Sequence, residues 1–117
     1  MNINITIKNC EITQNTKDYI EEKVEKLDKY NLRRVDTIAE FEETKDINSQ
    51  YKIDIVVSPE KGNTIVATAR AGEWFGAIDQ VVDKVERQLR KMKDKIKSHR
   101  VKKYIPNEDD DSMLSNY

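Results

Sequence analysis

Apolar residues in the second half of the chain recur three or four positions apart, between residues 73 and about 100. The stripe consists of Phe75, Ile78, Val82, Val85, Leu89, Met92 and Ile96, with Val81 widening it near the start. This spacing predicts one amphipathic helix, roughly 40 Å long. Trp74 and Phe75, at its beginning, are expected to anchor it in the core. Such a helix needs a broad apolar surface to lie on.

Four shorter segments alternate between apolar and polar residues, as strands with one buried face do. The first covers residues 2–8, with Ile3, Ile5 and Ile7 on one side. The other three are expected at residues 35–43, 51–58 and 64–71. A turn at residues 59–63 and a polar loop at residues 44–50 separate them, which predicts an antiparallel meander.

A first helix is predicted between the first and second strands. Thr13 is a plausible N-cap, and the helix is expected to run to about Tyr30. An outward row of bases, which we call the α1 basic row, consists of Lys23, Lys26 and Lys29. Neighbouring acids of the same helix are the expected i,i+4 partners of that row.

The predicted fold class is α+β, with the order β-α-β-β-β-α. Because each strand has one apolar face and each helix one apolar stripe, two helices packed on one face of a four-stranded sheet give a two-layer core. This domain is expected to span residues 1–100, and residues 101–117 are expected to form a flexible acidic tail. In this arrangement the basic residues of both helices share one surface of the protein.

Charge is segregated along the second helix. Between residues 84 and 103 there are ten bases and two acids. A narrow row, here called the basic ridge, consists of Lys84, Arg87, Lys91 and Lys95, and Arg90 flanks the apolar stripe on its other side. A helix dipole favours bases over only the last turn, so a run of about five turns indicates a polyanionic ligand, most simply RNA.

Chain length, net charge and cysteine count narrow the class of protein. The chain has 117 residues, enough for one modest core, and a net charge of −1 that hides the basic segment. One cysteine, Cys10, fits a reducing compartment, and neither a signal peptide nor a membrane span is evident. A cytoplasmic location is therefore expected. The lone His99 lies among bases, and with no catalytic or metal-binding pattern we expect neither an enzyme nor a cofactor.

These segments resemble a known family. The second helix, with AID followed by DKVERQLRKMKDK, is similar to the signature of bacterial ribosome hibernation-promoting factors, which include the ribosome-associated inhibitor protein Y. The segments NITIKNCEIT and EKLDKY are similar to the family's first strand, its turn and its first helix end. The resemblance covers about residues 1–100.

The resemblance implies a fold similar to double-stranded RNA-binding domains and a role on the ribosome. Members occupy the mRNA and tRNA channel of the small ribosomal subunit, block translation and stabilise idle ribosomes in stationary phase or stress. The implied RNA-binding residues are Lys23, Lys26, Lys29, Lys84, Arg87, Arg90, Lys91 and Lys95. The implied partners are the small subunit and its rRNA, without a small-molecule substrate or a membrane, and the chain is expected to be monomeric off the ribosome.

Two other hypotheses remain open from the sequence. One is a general binder of double-stranded RNA, which free duplexes would occupy as well as ribosomes do. The other is a protein-interaction module in which the stripe from Phe75 to Ile96 is an intermolecular seam, as its spacing permits. The acidic tail resembles that of short, inhibitor-type members and equally the linker of long members that carry a second domain.

Overall fold

The computed structural model describes the backbone of residues 1–101 and the side chains of residues 1–94. The elements in chain order are β1 Asn2–Lys8, α1 Gln14–Glu25, β2 Leu32–Phe41, β3 Tyr51–Pro59, β4 Ile65–Ala71 and α2 Trp74–Val101. Short 3-10 segments occupy Lys26–Tyr30 and Ile47–Ser49. The predicted α+β order of strand, helix, three strands and helix is confirmed.

The four strands form one mixed sheet in the order β1-β2-β3-β4. Strand β1 runs parallel to β2, whereas β2, β3 and β4 form the predicted antiparallel meander. A parallel pair needs a crossover connection, and α1 supplies it. Strands β1 and β4 are consequently the two edges of the sheet.

Both helices pack on the same face of this sheet. Val24 and Leu27 of the first helical region and Ile78, Val85 and Leu89 of α2 belong to one buried cluster with the inward residues of the strands. The stripe of α2 is therefore used within the chain, which contradicts the hypothesis of an intermolecular seam. Ile96 lies outside the described side chains.

Local signals set the ends of the first helix. The Thr13 hydroxyl accepts a hydrogen bond from the Thr16 amide, as expected of an N-cap. The α-helix ends at Glu25, earlier than predicted, and continues as a 3-10 segment to Tyr30. Side chains three residues apart eclipse in a 3-10 helix, so Lys26 and Lys29 point the same way. Asn31 then adopts φ 59°, and β2 begins at Leu32, three residues before the predicted start.

Phe75 is the clearest departure from the predicted core. Its side chain is 40% exposed, whereas Ala77 and Val81 are completely buried. Phe75 packs edge to face against Tyr19 of α1, with ring centroids 4.8 Å apart. The residue covers the junction of the two helices because α2 turns Ala77, Ile78 and Val81 towards the sheet. Trp74 is half-buried and does pack against the core, against Tyr51.

Candidate nucleic-acid interface

The described part of the basic ridge is exposed on α2. Lys84, Arg87 and Lys91 are exposed side chains, and Arg90 is exposed beside them. Lys95 belongs to the same helix, but its side chain lies outside the described residues. These positions agree with a solvent-facing basic surface, although two of the three described ridge residues already have partners.

Lys84 contacts the sheet as well as solvent. Its ammonium donates a 2.8 Å hydrogen bond to the Thr68 carbonyl oxygen of the edge strand β4. An unpaired carbonyl on a sheet edge is a potential pairing site for another chain, and lysine near an edge protects it. A lysine has three donors, so Lys84 can still bind a phosphate.

Arg87 pairs with Asp83 one helical turn earlier, at 2.7 Å. Their side chains are 64% and 55% exposed. An ion pair in this setting contributes little to stability, because water and salt screen it. A phosphate can therefore compete with Asp83 for the guanidinium group at low cost. Lys91 and Arg90 have no ion pair among residues 1–94, and their charges are available.

Two lysines of the α1 basic row are bound to α2. Lys23 pairs with Asp79 at 3.5 Å, and Lys29 pairs with Glu86 at 3.3 Å. Lys26 is exposed and has no ion pair within the described side chains. The predicted i,i+4 pairs inside the first helix are wrong, because the acids that hold Lys23 and Lys29 come from α2.

Tyrosine hydroxyls fix the same two acids. Tyr19 donates to Asp79 Oδ1 at 2.6 Å, and Tyr30 donates to Glu86 Oε2 at 3.2 Å. Each acid of α2 thus binds one lysine and one tyrosine of the first helical region. The sequence reasoning missed these acids, although their spacing of two helical turns puts them on one side of α2.

The acids of the seam help to raise the pKa values of their partners. The hydrogen bond to the Asp79 carboxylate raises the pKa of Tyr19, and the negative charge of Asp79 raises the pKa of Lys23. Burial, followed by the charge of Glu86, raises the pKa of Tyr30. Tyr19 and Tyr30 therefore remain neutral donors, and Lys23 remains charged, throughout the neutral range.

The two basic rows are not one continuous patch. Asp79 and Glu86 lie in the seam between the helices, and Lys84 extends towards β4 on the opposite side of α2. The helix face therefore carries bases on both sides of the seam, two acids in the seam, and further exposed acids such as Glu22 and Asp83.

The opposite face of the sheet has a different character. Its bases meet acids, with Arg70 bound to Glu42 at 2.6 Å and Arg34 bound to Asp36 at 3.0 Å. Lys52 lies 4.0 Å from Glu40 and 3.8 Å from Asp54. This open sheet face is largely neutralised by its own ion pairs, unlike the run of bases in the second half of α2.

The remaining candidate chemistry is limited. No group of three metal-ligating side chains occurs in the searched part of the chain. Neither α1 nor α2, over the described residues, combines the length and apolar character needed to cross a bilayer. His99 belongs to α2, but its side chain lies outside the described residues.

Comparison with known proteins identifies relatives. A family model described as sigma 54 modulation protein / S30EA ribosomal protein matches residues 3–97. The ribosome hibernation promoting factor of Escherichia coli K12 is 32% identical over 99 residues, covering 85% of this chain and all of that protein.

Solved structures share the fold. A ribosomal subunit interface protein from Coxiella burnetii superposes with a TM-score of 0.69 at 22% identity, covering 80% of this chain and 98% of that one. The N-terminal domain of Thermus thermophilus protein Y gives a TM-score of 0.65 at 26% identity, covering 79% and 99%. The chain therefore belongs to the sigma 54 modulation protein / S30EA ribosomal protein family, whose relatives include ribosome hibernation promoting factors.

Proposed function

We propose that this protein is a non-enzymatic ribosome hibernation factor of the cytoplasm. It binds the small ribosomal subunit, occupies the channel used by mRNA and tRNA, and stabilises idle ribosomes under stress or in stationary phase. The names of its relatives support a ribosomal role. The off-ribosome form is proposed to be a monomer, because the stripe of α2 is buried in the chain's own core.

The observation that carries the proposal is the run of exposed bases in the second half of α2. The proposed contacts with rRNA phosphates are made by Lys23, Lys26, Lys29, Lys84, Arg87, Arg90, Lys91 and Lys95. Phosphate contacts release counterions, so affinity should fall steeply as salt rises. Lys91, Arg90 and Lys26 are the strongest contributors in this view, because no ion pair within residues 1–94 occupies them.

The test is binding of the purified chain to small ribosomal subunits at several salt concentrations. One variant carries Lys84→Gln, Arg87→Gln, Lys91→Gln and Lys95→Gln. A matched control with four substitutions on the open sheet face and its loops carries Lys8→Gln, Arg34→Gln, Lys45→Gln and Lys52→Gln. We expect the ridge variant to lose binding and the control to retain it. Equal binding of both variants would contradict the assignment to the ridge.

Occupancy of the channel needs a separate measurement. Bound protein should be displaced by mRNA together with tRNA, and it should inhibit translation in a purified system in proportion to its occupancy. A free RNA duplex that competes as well as small subunits do would instead favour the general RNA-binding hypothesis.

A further inference from the structure

Bases from both helical regions meet at Tyr30, the last residue of the 3-10 segment. The Lys29 ammonium lies 5.5 Å from the centroid of the Tyr30 ring, and the Lys93 ammonium of α2 lies 6.0 Å from it. Both ammonium groups therefore lie close to the same aromatic ring. We call Lys29, Tyr30, Glu86, Arg90 and Lys93 the Tyr30 cluster.

The cluster contains more positive charge than its own acid can neutralise. Glu86 is its one carboxylate, and that carboxylate binds Lys29 and the Tyr30 hydroxyl. Arg90 and Lys93 have no ion pair among the described side chains. Arg90 is near enough to Tyr30 to act on its ionisation electrostatically. Two of the three positive charges around this ring therefore lack an ion-pair partner within residues 1–94.

A similar arrangement further along the seam serves as an internal comparison. There, Asp79 binds Lys23 and the Tyr19 hydroxyl, and the Lys23 ammonium lies 5.4 Å from the centroid of the Tyr19 ring. That site has one base and one acid, and Phe75 covers it. Each site combines one tyrosine, one lysine and one acid in the same arrangement, but the Tyr30 cluster has two further bases.

We propose that the Tyr30 cluster is a phosphate-binding site for the RNA backbone, with Lys29 and Lys93 as its ammonium donors. Glu86 and Tyr30 position Lys29, while the electron-rich ring face restrains both ammonium groups. The site bridges the seam and links the α1 basic row to α2. This inference rests on the proposed function, and it adds Lys93 to the residues that contact RNA.

The experiment compares Lys29→Gln/Lys93→Gln with the matched control Lys8→Gln/Lys45→Gln, using small ribosomal subunits as the probe. Each lost phosphate contact reduces the slope of log affinity against log salt by about 0.7 to 0.9. We expect the cluster variant to bind roughly tenfold more weakly at low salt and with a smaller slope. Lys29→Arg/Lys93→Arg should restore both quantities, because arginine also binds phosphate.

The outcomes separate the two proposals. If the wild type binds and the cluster variant has the same affinity and salt slope, the proposal for the Tyr30 cluster is overturned while the ribosomal function stands. If the wild type itself does not bind, the proposed function fails and this site fails with it. Circular dichroism of each variant checks folding, and the arginine variant distinguishes a lost contact from a damaged junction.

Discussion

The acids Asp79 and Glu86 of α2 hold two lysines of the first helical region in place. Each is one residue on α2 that binds a lysine and a tyrosine hydroxyl from the first helical region. Hydrogen bonds to charged groups are stronger than those between neutral ones. At this scale the seam is a pair of polar contacts that join the helices and orient Lys23 and Lys29 at the border of the helix face.

The Tyr19 contact predicts a specific dependence on pH. Because Asp79 raises the pKa of Tyr19 above the ordinary 10.0, folding stabilises the protonated phenol. This contribution is fully present below the unfolded pKa and is lost as pH rises through the folded pKa. We expect Tyr19→Phe to reduce the fall in unfolding free energy above pH 10, measured by urea denaturation. An identical alkaline decline in the wild type and in Tyr19→Phe would contradict this account.

At the scale of elements, α2 combines two functions that favour different residues. Its inner side is buried against β3, β4 and the first helical region, and its outer side carries the bases. Helix stability can therefore be changed at positions outside both surfaces. Gly76 is such a position, since it lies in the first turn of α2, before the run of bases begins.

Gly76→Ala should stabilise the protein. A Cβ at this position would lie 3.4 Å from the Ala71 Cβ, an ordinary contact, and alanine is the better helix former. We expect a gain of about 0.5–1 kcal/mol in urea denaturation with unchanged ribosome binding. Gly62→Ala should destabilise instead, because Gly62 has φ +106° and its Cβ would lie 2.6 Å from Met92 Sδ. A loss of stability in Gly76→Ala would show that the first turn is constrained in some other way.

The hydrogen bond from Lys84 to the edge strand β4 predicts that this residue of the basic ridge also protects the sheet edge. Lys84→Ala removes the donor to the Thr68 carbonyl, whereas Lys91→Ala removes an equal charge without such a hydrogen bond. We expect faster hydrogen exchange in β4 and more self-association in Lys84→Ala than in Lys91→Ala. Exchange and analytical ultracentrifugation measure these differences. Matching behaviour of the two variants would assign Lys84 to the ligand surface alone.

At the scale of the whole molecule, one sheet separates two electrostatic environments. The open sheet face holds its charges in ion pairs such as Arg70 with Glu42, and the helix face carries bases such as Lys91 and Arg90 that have no ion pair within residues 1–94. A clustered excess of one sign attracts a polyanion, whereas a balanced surface does not. The two-layer architecture therefore predicts that a polyanion binds at the second half of α2.

This asymmetry predicts that bases on the open sheet face contribute little to binding. Lys52→Gln/Arg70→Gln removes two charges and leaves Glu42 without its partner. We expect a small loss of stability at neutral pH and unchanged affinity for small subunits. A reduced salt dependence of binding in this variant would mean that the sheet also contacts RNA.

Much of the fold could be predicted from local patterns. Alternation identified the buried sides of all four strands, and the 3-4 spacing identified the inner side of α2. The Thr13 cap was also predictable, because its hydrogen bond joins residues three positions apart. Burial of a repeating side is encoded within each element, so these predictions required no knowledge of neighbouring elements.

The exact helix ends and the junction were not predictable in this way. Phe75 fitted the stripe by spacing, yet the crossing of the two helices places it against Tyr19 on an exposed border. The conversion to a 3-10 helix at Lys26 coincides with the packing of Leu27 and Tyr30 against the core. Such choices depend on packing between elements rather than on periodicity.

By itself, the sequence determined the element order, the buried faces, the basic second half of α2 and the family. Only the tertiary structure decided which bases are engaged: Lys23 with Asp79, Lys29 with Glu86, and Lys84 with β4. The physical reason is the separation in sequence over which each kind of interaction acts. Hydrophobic periodicity and capping act between residues a turn apart, whereas an ion pair across the seam joins residues far apart in sequence that meet only after both helices have packed on the sheet.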